Sequence, residues 1–271
     1  GVNAYTSYDA TQYINSLPAN KLEFWMSVTS DRFLNPVFRE FYKEREVIME
    51  ERRLSVETQP IGKLLEDFMA VAYKAHPYHH HVIGHMSDIR AITRQDVKDY
   101  FKKFYSPSNL TAAIVGDVDA AEVFRLAEIY FGRIPSAPRP EPIRTREPEQ
   151  WGERRTAVRA QSQPVLLMGY HKPDVRHADN GALDALANIL GQGRSSRLWE
   201  SLVKKEKAAT QVACFNNFPG EKYPNLIAFF SMPSKDKTVA QSLELIDREI
   251  EKIKKEGVSA QELAKYKRMT K

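Results

Sequence analysis

A cluster of prolines near the middle of the chain is the feature that most restricts how this sequence can fold. Five of them fall within a stretch of fourteen residues: Pro135, Pro138, Pro140, Pro142 and Pro148. Proline fixes φ and lacks a backbone N–H, so this density disfavours helix and sheet and favours an extended spacer. The chain of 271 residues is also longer than one average domain. We therefore predict domains at 1–138 and 151–271, joined by a proline-rich linker at 139–150.

Each half shows the same order of predicted elements, with strands followed by helices. Alternating β-forming residues predict two strands within 2–17, with a turn at 7–9. Helical spacing, cap residues and apolar runs predict the other elements of the first half: helices at 21–33, 37–57, 61–73, 93–104 and 120–131, and a buried strand at 110–116. The second half is predicted to hold strands at 156–170, 211–215 and 226–232, and helices at 181–190, 195–205, 239–256 and from 259 onwards. The predicted fold class is α+β: two related domains, each a mainly antiparallel sheet packed against helices, truncated at both ends.

Charge and apolar run length argue against two classes of partner. The 40 basic and 35 acidic residues give a net charge of +5, and no basic block stands out. Nucleic-acid-binding domains concentrate basic residues on one face, so we expect no nucleic-acid partner. The longest apolar runs, at 164–170 and 226–232, are far shorter than the roughly 20 residues needed to span a bilayer, so we expect no transmembrane segment.

The strongest local candidate for chemistry is the acidic stretch Glu44–Glu51. Seven residues are close to two helical turns, so Glu44 and Glu51 should project from one face of a helix. Two carboxylates stacked in this way can act as a metal ligand and a neighbouring acid or base. The alternative is a solvated charged face, in which Arg45, Arg52 and Arg53 pair with the acids.

Three other features have simpler structural interpretations. The histidines of one loop lack a fixed ligand spacing and are interpreted as surface or adventitious residues: His76, His79, His80, His81 and His85. The stretch Gly191–Ser196 lacks the lysine of a phosphate-binding loop and is interpreted as a helix-start turn. The single cysteine, Cys214, lies in an apolar strand and is interpreted as a core residue.

Several segments together resemble the pitrilysin and mitochondrial-processing-peptidase family of zinc peptidases. The resemblance runs nearly from end to end and is carried by Gly1–Ser7, Glu44–Glu51, His76–Tyr78, Val82–Gly84, Tyr105–Asn109, Val115–Val118, Tyr130–Pro135 and Gly191–Leu198. It implies a zinc-dependent metallopeptidase in which Glu51 is a zinc ligand and Glu44 is the acid two turns earlier. It also implies that Asn3, Ala4, Tyr5 and Thr6 form an edge strand that pairs with an extended peptide substrate; a plain edge strand is the alternative.

The sequence departs from the family at two places. The family's His-x-x-Glu-His motif, which supplies two zinc ligands and a general base, does not occur in these 271 residues, and by family spacing we expect it before Gly1. We expect the chain alone to be inactive, because one carboxylate cannot hold catalytic Zn²⁺. The family's substrate-clamping arginine and tyrosine fall at Val203 and Thr210, which implies a related subunit, in a homo- or heterodimer, that supplies the pair.

The leading functional hypothesis is therefore a subunit of a zinc metalloendopeptidase that hydrolyses peptides or unfolded polypeptides. The alternative is a non-catalytic scaffold or partner subunit of the same family. Retention of both Glu44 and Glu51 favours the peptidase. The residues do not decide the compartment, although the resemblance is compatible with a bacterial periplasm or cell envelope.

Overall fold

The computed structural model describes residues 1–270, which contain five strands and nine α-helices. The strands are β1 (Val2–Thr6), β2 (Thr11–Asn15), β3 (Leu166–Lys172), β4 (Ala209–Phe218) and β5 (Asn225–Pro233). The helices are α1 (Leu22–Leu34), α2 (Phe41–Arg52), α3 (Pro60–Ala72), α4 (Met86–Ala91), α5 (Arg94–Phe104), α6 (Ala120–Phe131), α7 (Asn180–Gly191), α8 (Val239–Glu256) and α9 (Ala260–Met269). No helix within 1–270 has the length and apolar character needed to cross a membrane.

Contacts between backbones divide the chain into two compact units. Unit 1 comprises Gly1–Thr6, Thr11–Arg53 and Ile83–Thr145. Unit 2 comprises Ser7–Ala10, Leu54–Val82 and the described residues from Arg146 onwards. The division therefore assigns α3 to the same unit as the elements that follow the prolines. The domain boundary at 139–150 stays a prediction.

Unit 1 is built from a β-hairpin and helices. β1 and β2 pair antiparallel, with Val2 opposite Asn15 and Thr6 opposite Thr11. α1 packs on α6, where Met26 is fully buried and the Tyr130 hydroxyl donates to Glu23 at 2.9 Å. These elements confirm the predicted hairpin and the predicted helices near 21–33 and 120–131.

Two predictions for unit 1 are wrong. The run 110–116 does not form a strand, and Val115 is 95% exposed. A strand needs a neighbour that satisfies its backbone groups, and β1 and β2 pair only with each other within 1–270. The helix predicted at 37–57 covers only Phe41–Arg52, and a π-helix at Arg53–Glu57 follows it, a wider turn than the α-helical spacing predicts.

Unit 2 contains an antiparallel sheet of strand order β3-β5-β4. β5 lies in the centre, and seven of its nine residues are buried. Helices α7 and α8 cover this sheet, and their shared core includes Leu190, Cys214, Phe229 and Ile246. Cys214 is fully buried, which confirms its interpretation as a core residue, and burial raises the pKa of its thiol to about 12. The α+β fold class with antiparallel sheets packed against helices is confirmed.

Two predictions for unit 2 need correction. The strand predicted at 156–170 covers only Leu166–Lys172. Pro164 cannot donate a ladder hydrogen bond, so pairing starts after it. The helix predicted at 195–205 is a π-helix at Trp199–Lys205, a wider turn than the α-helical spacing predicts.

Gly191 sets the distance between α7 and β4. A Cβ added there would lie 2.0 Å from the backbone nitrogen of Cys214, which cannot move without distorting the sheet. We expect Gly191→Ala to lower the free energy of unfolding by about 3 kcal/mol, as for overpacking against backbone. Gly181→Ala on the same helix is the matched control, because a Cβ there meets no atom within 4 Å. Alanine favours helix over glycine, so this control should be neutral or stabilising. Urea denaturation measures both, and equal midpoints for the two variants would contradict the argument.

Candidate functional site

The two acids singled out by sequence lie on one uninterrupted helix. Glu44 and Glu51 are both part of α2, and both side chains are exposed. At 100° per residue, a separation of seven residues brings the two side chains to within about 20° of each other around the helix axis. The helical geometry required for a paired-carboxylate site is therefore present. The structure does not test the roles assigned to them, which stay predictions.

Arg45 and Arg52 directly follow Glu44 and Glu51 in the sequence, and their side chains hold α2 against α4. Arg45 Nη1 donates to the carbonyl oxygens of Arg90 and Ile92, both at 3.0 Å, at the C-terminal end of α4. Arg52 is 5% exposed, and its Nη1 donates to the Gly84 carbonyl at 2.5 Å, just before α4 begins. The alternative of a solvated charged face paired Arg45 with an acid, whereas its Nη1 binds main-chain carbonyls instead. Arg53 does pair with an acid on the surface, Glu50.

The repeat that positions α2 was visible in the sequence. Arg45 and Arg52 follow Glu44 and Glu51 one residue later, at the same separation. This spacing predicts that two arginines share a helix face, but it does not say that the face contacts backbone carbonyls. Those carbonyls lie about 40 residues further along the chain and come close only in the folded unit.

β1 offers backbone groups to an added strand. Gly1 and Ser16 exchange backbone hydrogen bonds at 2.6 and 2.8 Å, which makes them a hydrogen-bonded pair of the hairpin. Hydrogen-bonded positions alternate in an antiparallel ladder, so Val2, Ala4 and Thr6 direct their N–H and C=O groups away from β2. The Ala4 N–H is occupied by the Asn3 side-chain oxygen at 2.9 Å. All five residues of β1 are exposed, including Tyr5.

A zinc ion does not fit these residues alone. Within residues 1–270, no three His, Cys, Asp or Glu side chains lie close enough to hold a metal ion. Catalytic zinc takes about three protein ligands. Glu51 can therefore supply at most one ligand of a site, and the remaining ligands have to come from other residues.

The resemblance assigns a substrate clamp to the positions of Val203 and Thr210. Both side chains make their contacts within unit 2. Val203 packs against the core of this unit. Thr210 donates its hydroxyl to the Met232 carbonyl at 3.3 Å. Neither position presents a charged donor to a substrate.

The loop histidines divide into a buried one and more accessible ones. His76 is 3% exposed, so its interpretation as a surface residue is wrong. Burial lowers its pKa, and its Nδ1 accepts the Tyr78 N–H at 3.2 Å, a bond available to the neutral ring. Nε2 atoms of His79 and His80 lie 2.7 Å apart at the more accessible end of the loop. In the described chain no third ligand completes a metal site with them.

Glu147, within the predicted linker, fixes the beginning of this loop. Its carboxylate accepts the backbone N–H groups of Lys74, Ala75 and His76 at 2.7, 2.8 and 3.0 Å. Arg154 lies 3.5 Å from the same carboxylate. Burial alone would raise the pKa of Glu147, but these donors lower it overall. Sequence reasoning missed this residue, because one glutamate among prolines carries no periodic signal.

Comparison with known proteins identifies the family. Residues 91–270 match the family described as "Peptidase M16 inactive domain", and residues 1–85 match "Insulinase (Peptidase family M16)". Zinc protease PqqE of Helicobacter pylori is 33% identical over 98% of this chain. The mitochondrial-processing peptidase subunit beta of Saccharomyces cerevisiae is 28% identical over 52% of the chain and 31% of its own length. The chain spans 61% of the length of the Helicobacter relative.

Solved structures agree with this assignment. A crystal structure of a protease from Helicobacter pylori has a TM-score of 0.91 and 32% identity, covering 98% of this chain and 65% of that protein. The peptidase M16 inactive domain from Pseudomonas fluorescens has a TM-score of 0.83 over 99% of this chain and 66% of its own; at 19% identity it supports the fold alone. The resemblance found in the sequence is confirmed: the chain belongs to peptidase family M16.

Proposed function

We propose that this chain is part of the zinc-bearing subunit of a metalloendopeptidase that cleaves peptides or unfolded polypeptides. The observation that carries the proposal is the placement of Glu44 and Glu51 on one face of α2, both exposed, in a chain whose relatives are named zinc proteases. Glu51 would provide one zinc ligand. Glu44 would hold or move a proton beside it, because a carboxylate two helical turns away shares its face.

β1 is the proposed docking strand for substrate. An extended peptide can pair with the outward groups of Val2, Ala4 and Thr6, which β2 does not use. Pairing would release the Ala4 N–H from the Asn3 side chain, whose amide could then bind a carbonyl of the substrate. Main-chain pairing accepts many sequences, which suits a peptidase that acts on unfolded polypeptide.

A second, related chain would supply the charged clamp for the substrate. Support comes from Val203, which is part of the core, and from Thr210, which donates to Met232. Neither side chain can replace an arginine that binds a carbonyl or carboxylate with several donors. The proposed active enzyme is therefore a dimer with complementary subunits.

The test uses the complete protein, expressed from its whole reading frame. Metal analysis and cleavage of an unfolded polypeptide are measured for this protein alone and after mixing with a related subunit that carries the arginine and tyrosine. We expect about one zinc per chain, little cleavage alone and strong cleavage after mixing. Strong cleavage by the protein alone would contradict the partner requirement. Absence of zinc and of cleavage in both samples would favour the scaffold function instead.

A further inference from the structure

We propose that Arg45 and Arg52 are positioning residues that set the rotation of α2, and so the direction in which Glu44 and Glu51 point. This inference rests on the proposed function for its catalytic meaning. Its geometric basis is independent, because it concerns contacts between α2 and α4 within unit 1.

The two arginines hold α4 at both of its ends. Arg45 donates to the Arg90 and Ile92 carbonyls at the C-terminal end, and Arg52 donates to the Gly84 carbonyl at the N-terminal end. The earlier arginine thus contacts the later end of α4, so the two helices run antiparallel where they meet. Seven residues of helix rise about 10 Å, which is close to the length of a six-residue helix such as α4.

Both contacts lie on one side of α2, two turns apart, so a rotation of the helix about its axis would have to break both of them. The carbonyls at a helix C-terminus carry partial negative charge that favours a cation, so the Arg45 contact is electrostatically suited to its place. Arg52 is buried, so its removal would leave the Gly84 carbonyl without this donor. Both contacts therefore resist rotation.

The acids lie one residue before the arginines, about 100° around the helix. Because Arg45 and Arg52 are fixed on α4, the direction in which Glu44 and Glu51 point is fixed as well. A carboxylate carbon lies about 6 Å from the helix axis, so a rotation of about 15° would move it by about 1.5 Å. Metal–ligand distances tolerate only about 0.2 Å, so such a movement is enough to weaken a ligand.

The proposal is tested by three variants of the complete protein and one matched control. Arg45→Met and Arg52→Met remove one anchor each, and Arg45→Lys keeps a cationic donor at the same position. Arg53→Met is the control, because Arg53 directly follows the last residue of α2, is half exposed and pairs with Glu50. Zinc affinity is measured by chelator competition, kcat and KM by peptide cleavage with the partner subunit, and local opening by hydrogen exchange of residues 84–92.

We expect Arg45→Met and Arg52→Met each to weaken zinc binding by about 10- to 100-fold, the scale of losses seen when the support of a ligand is removed. kcat should fall while KM changes little, exchange at 84–92 should accelerate, and Arg45→Lys should recover most of the loss. Arg53→Met should behave as the wild type. Should Arg52→Met fail to fold, the comparison of Arg45→Met with Arg45→Lys, at the less buried position, decides the question.

Two results would overturn the inference in different ways. Wild-type zinc affinity in both methionine variants, together with loss of zinc in Glu51→Gln, would reject the positioning role and leave the proposed function intact. Retention of zinc in Glu51→Gln would reject the proposed function, and the catalytic meaning of the arginines would fail with it.

Discussion

Glu51→Gln in the complete protein is expected to lower zinc affinity by more than about 100-fold, which exceeds the losses caused by removing groups behind a ligand. Glutamine keeps the length and one oxygen of the side chain but loses the negative charge. A neutral amide oxygen is a poor ligand for zinc, which takes histidine nitrogen, thiolate or carboxylate. Because Glu51 is exposed on α2, the substitution should leave the fold unchanged.

Glutamine variants of two neighbouring acids, Glu50 and Glu44, distinguish the loss of a zinc ligand from the loss of a negative charge. Glu50→Gln removes a carboxylate at the preceding position, where the side chain is half exposed and pairs with Arg53. This control should keep both zinc and cleavage. Glu44→Gln should keep zinc and lower kcat, because the proposed role of Glu44 concerns a proton rather than the metal. Zinc content measured after dialysis would contradict the assignment if Glu51→Gln retained as much metal as Glu50→Gln.

The elements that sequence predicted well are those whose determinants are local. α8 begins and ends where predicted, because Thr238 and Gln241 form a capping box and Gly257 ends the helix with φ of 72°. α9 was predicted from 259 onwards and begins there, because Ser259 and Glu262 form a capping box. In each case the hydrogen-bonding partners lie within four residues, so a short window of sequence contains the whole signal.

The elements that sequence predicted poorly depend on distant partners. The run 110–116 is apolar and rich in β-forming residues, but it has no neighbouring strand within 1–270. At the candidate site, the sequence predicted that Glu44 and Glu51 share a helix face. It could not predict the hydrogen bonds from Arg45 to the Arg90 and Ile92 carbonyls, because main-chain carbonyls have no sequence signature. Glu147 illustrates the same limit within a segment predicted only to be a spacer.

Glu147→Gln is expected to lower the free energy of unfolding by about 3 kcal/mol at pH 7, the scale for breaking a buried charged contact. The Glu147 side chain is only 10% exposed. Its two oxygens accept three backbone N–H groups, from Lys74, Ala75 and His76. An amide has one oxygen and one NH₂ group, so at least one backbone donor would face another donor in a site that admits little water.

The pH dependence of this loss distinguishes a charge effect from a packing effect. The pKa of Glu147 in the folded protein lies below its usual value of 4.5, because the backbone and Arg154 donors outweigh burial. A depressed pKa means that the stabilisation is complete above the unfolded pKa and is lost as pH falls through the folded pKa. The difference between wild type and Glu147→Gln should therefore be largest near neutrality and shrink below about pH 4. Urea denaturation at several pH values measures this difference.

Glu153→Gln is the matched control for Glu147, because Glu153 also pairs with an arginine in unit 2 but its side chain is 64% exposed. An exposed ion pair contributes little, so the control should have nearly the stability of the wild type at any pH. A loss for Glu147→Gln that stays constant from pH 7 to pH 3 would show that shape, rather than charge, stabilises the loop at 74–76. A narrowing difference would instead show that the negative charge of Glu147 holds the backbone N–H groups of residues 74–76, which belong to the same unit.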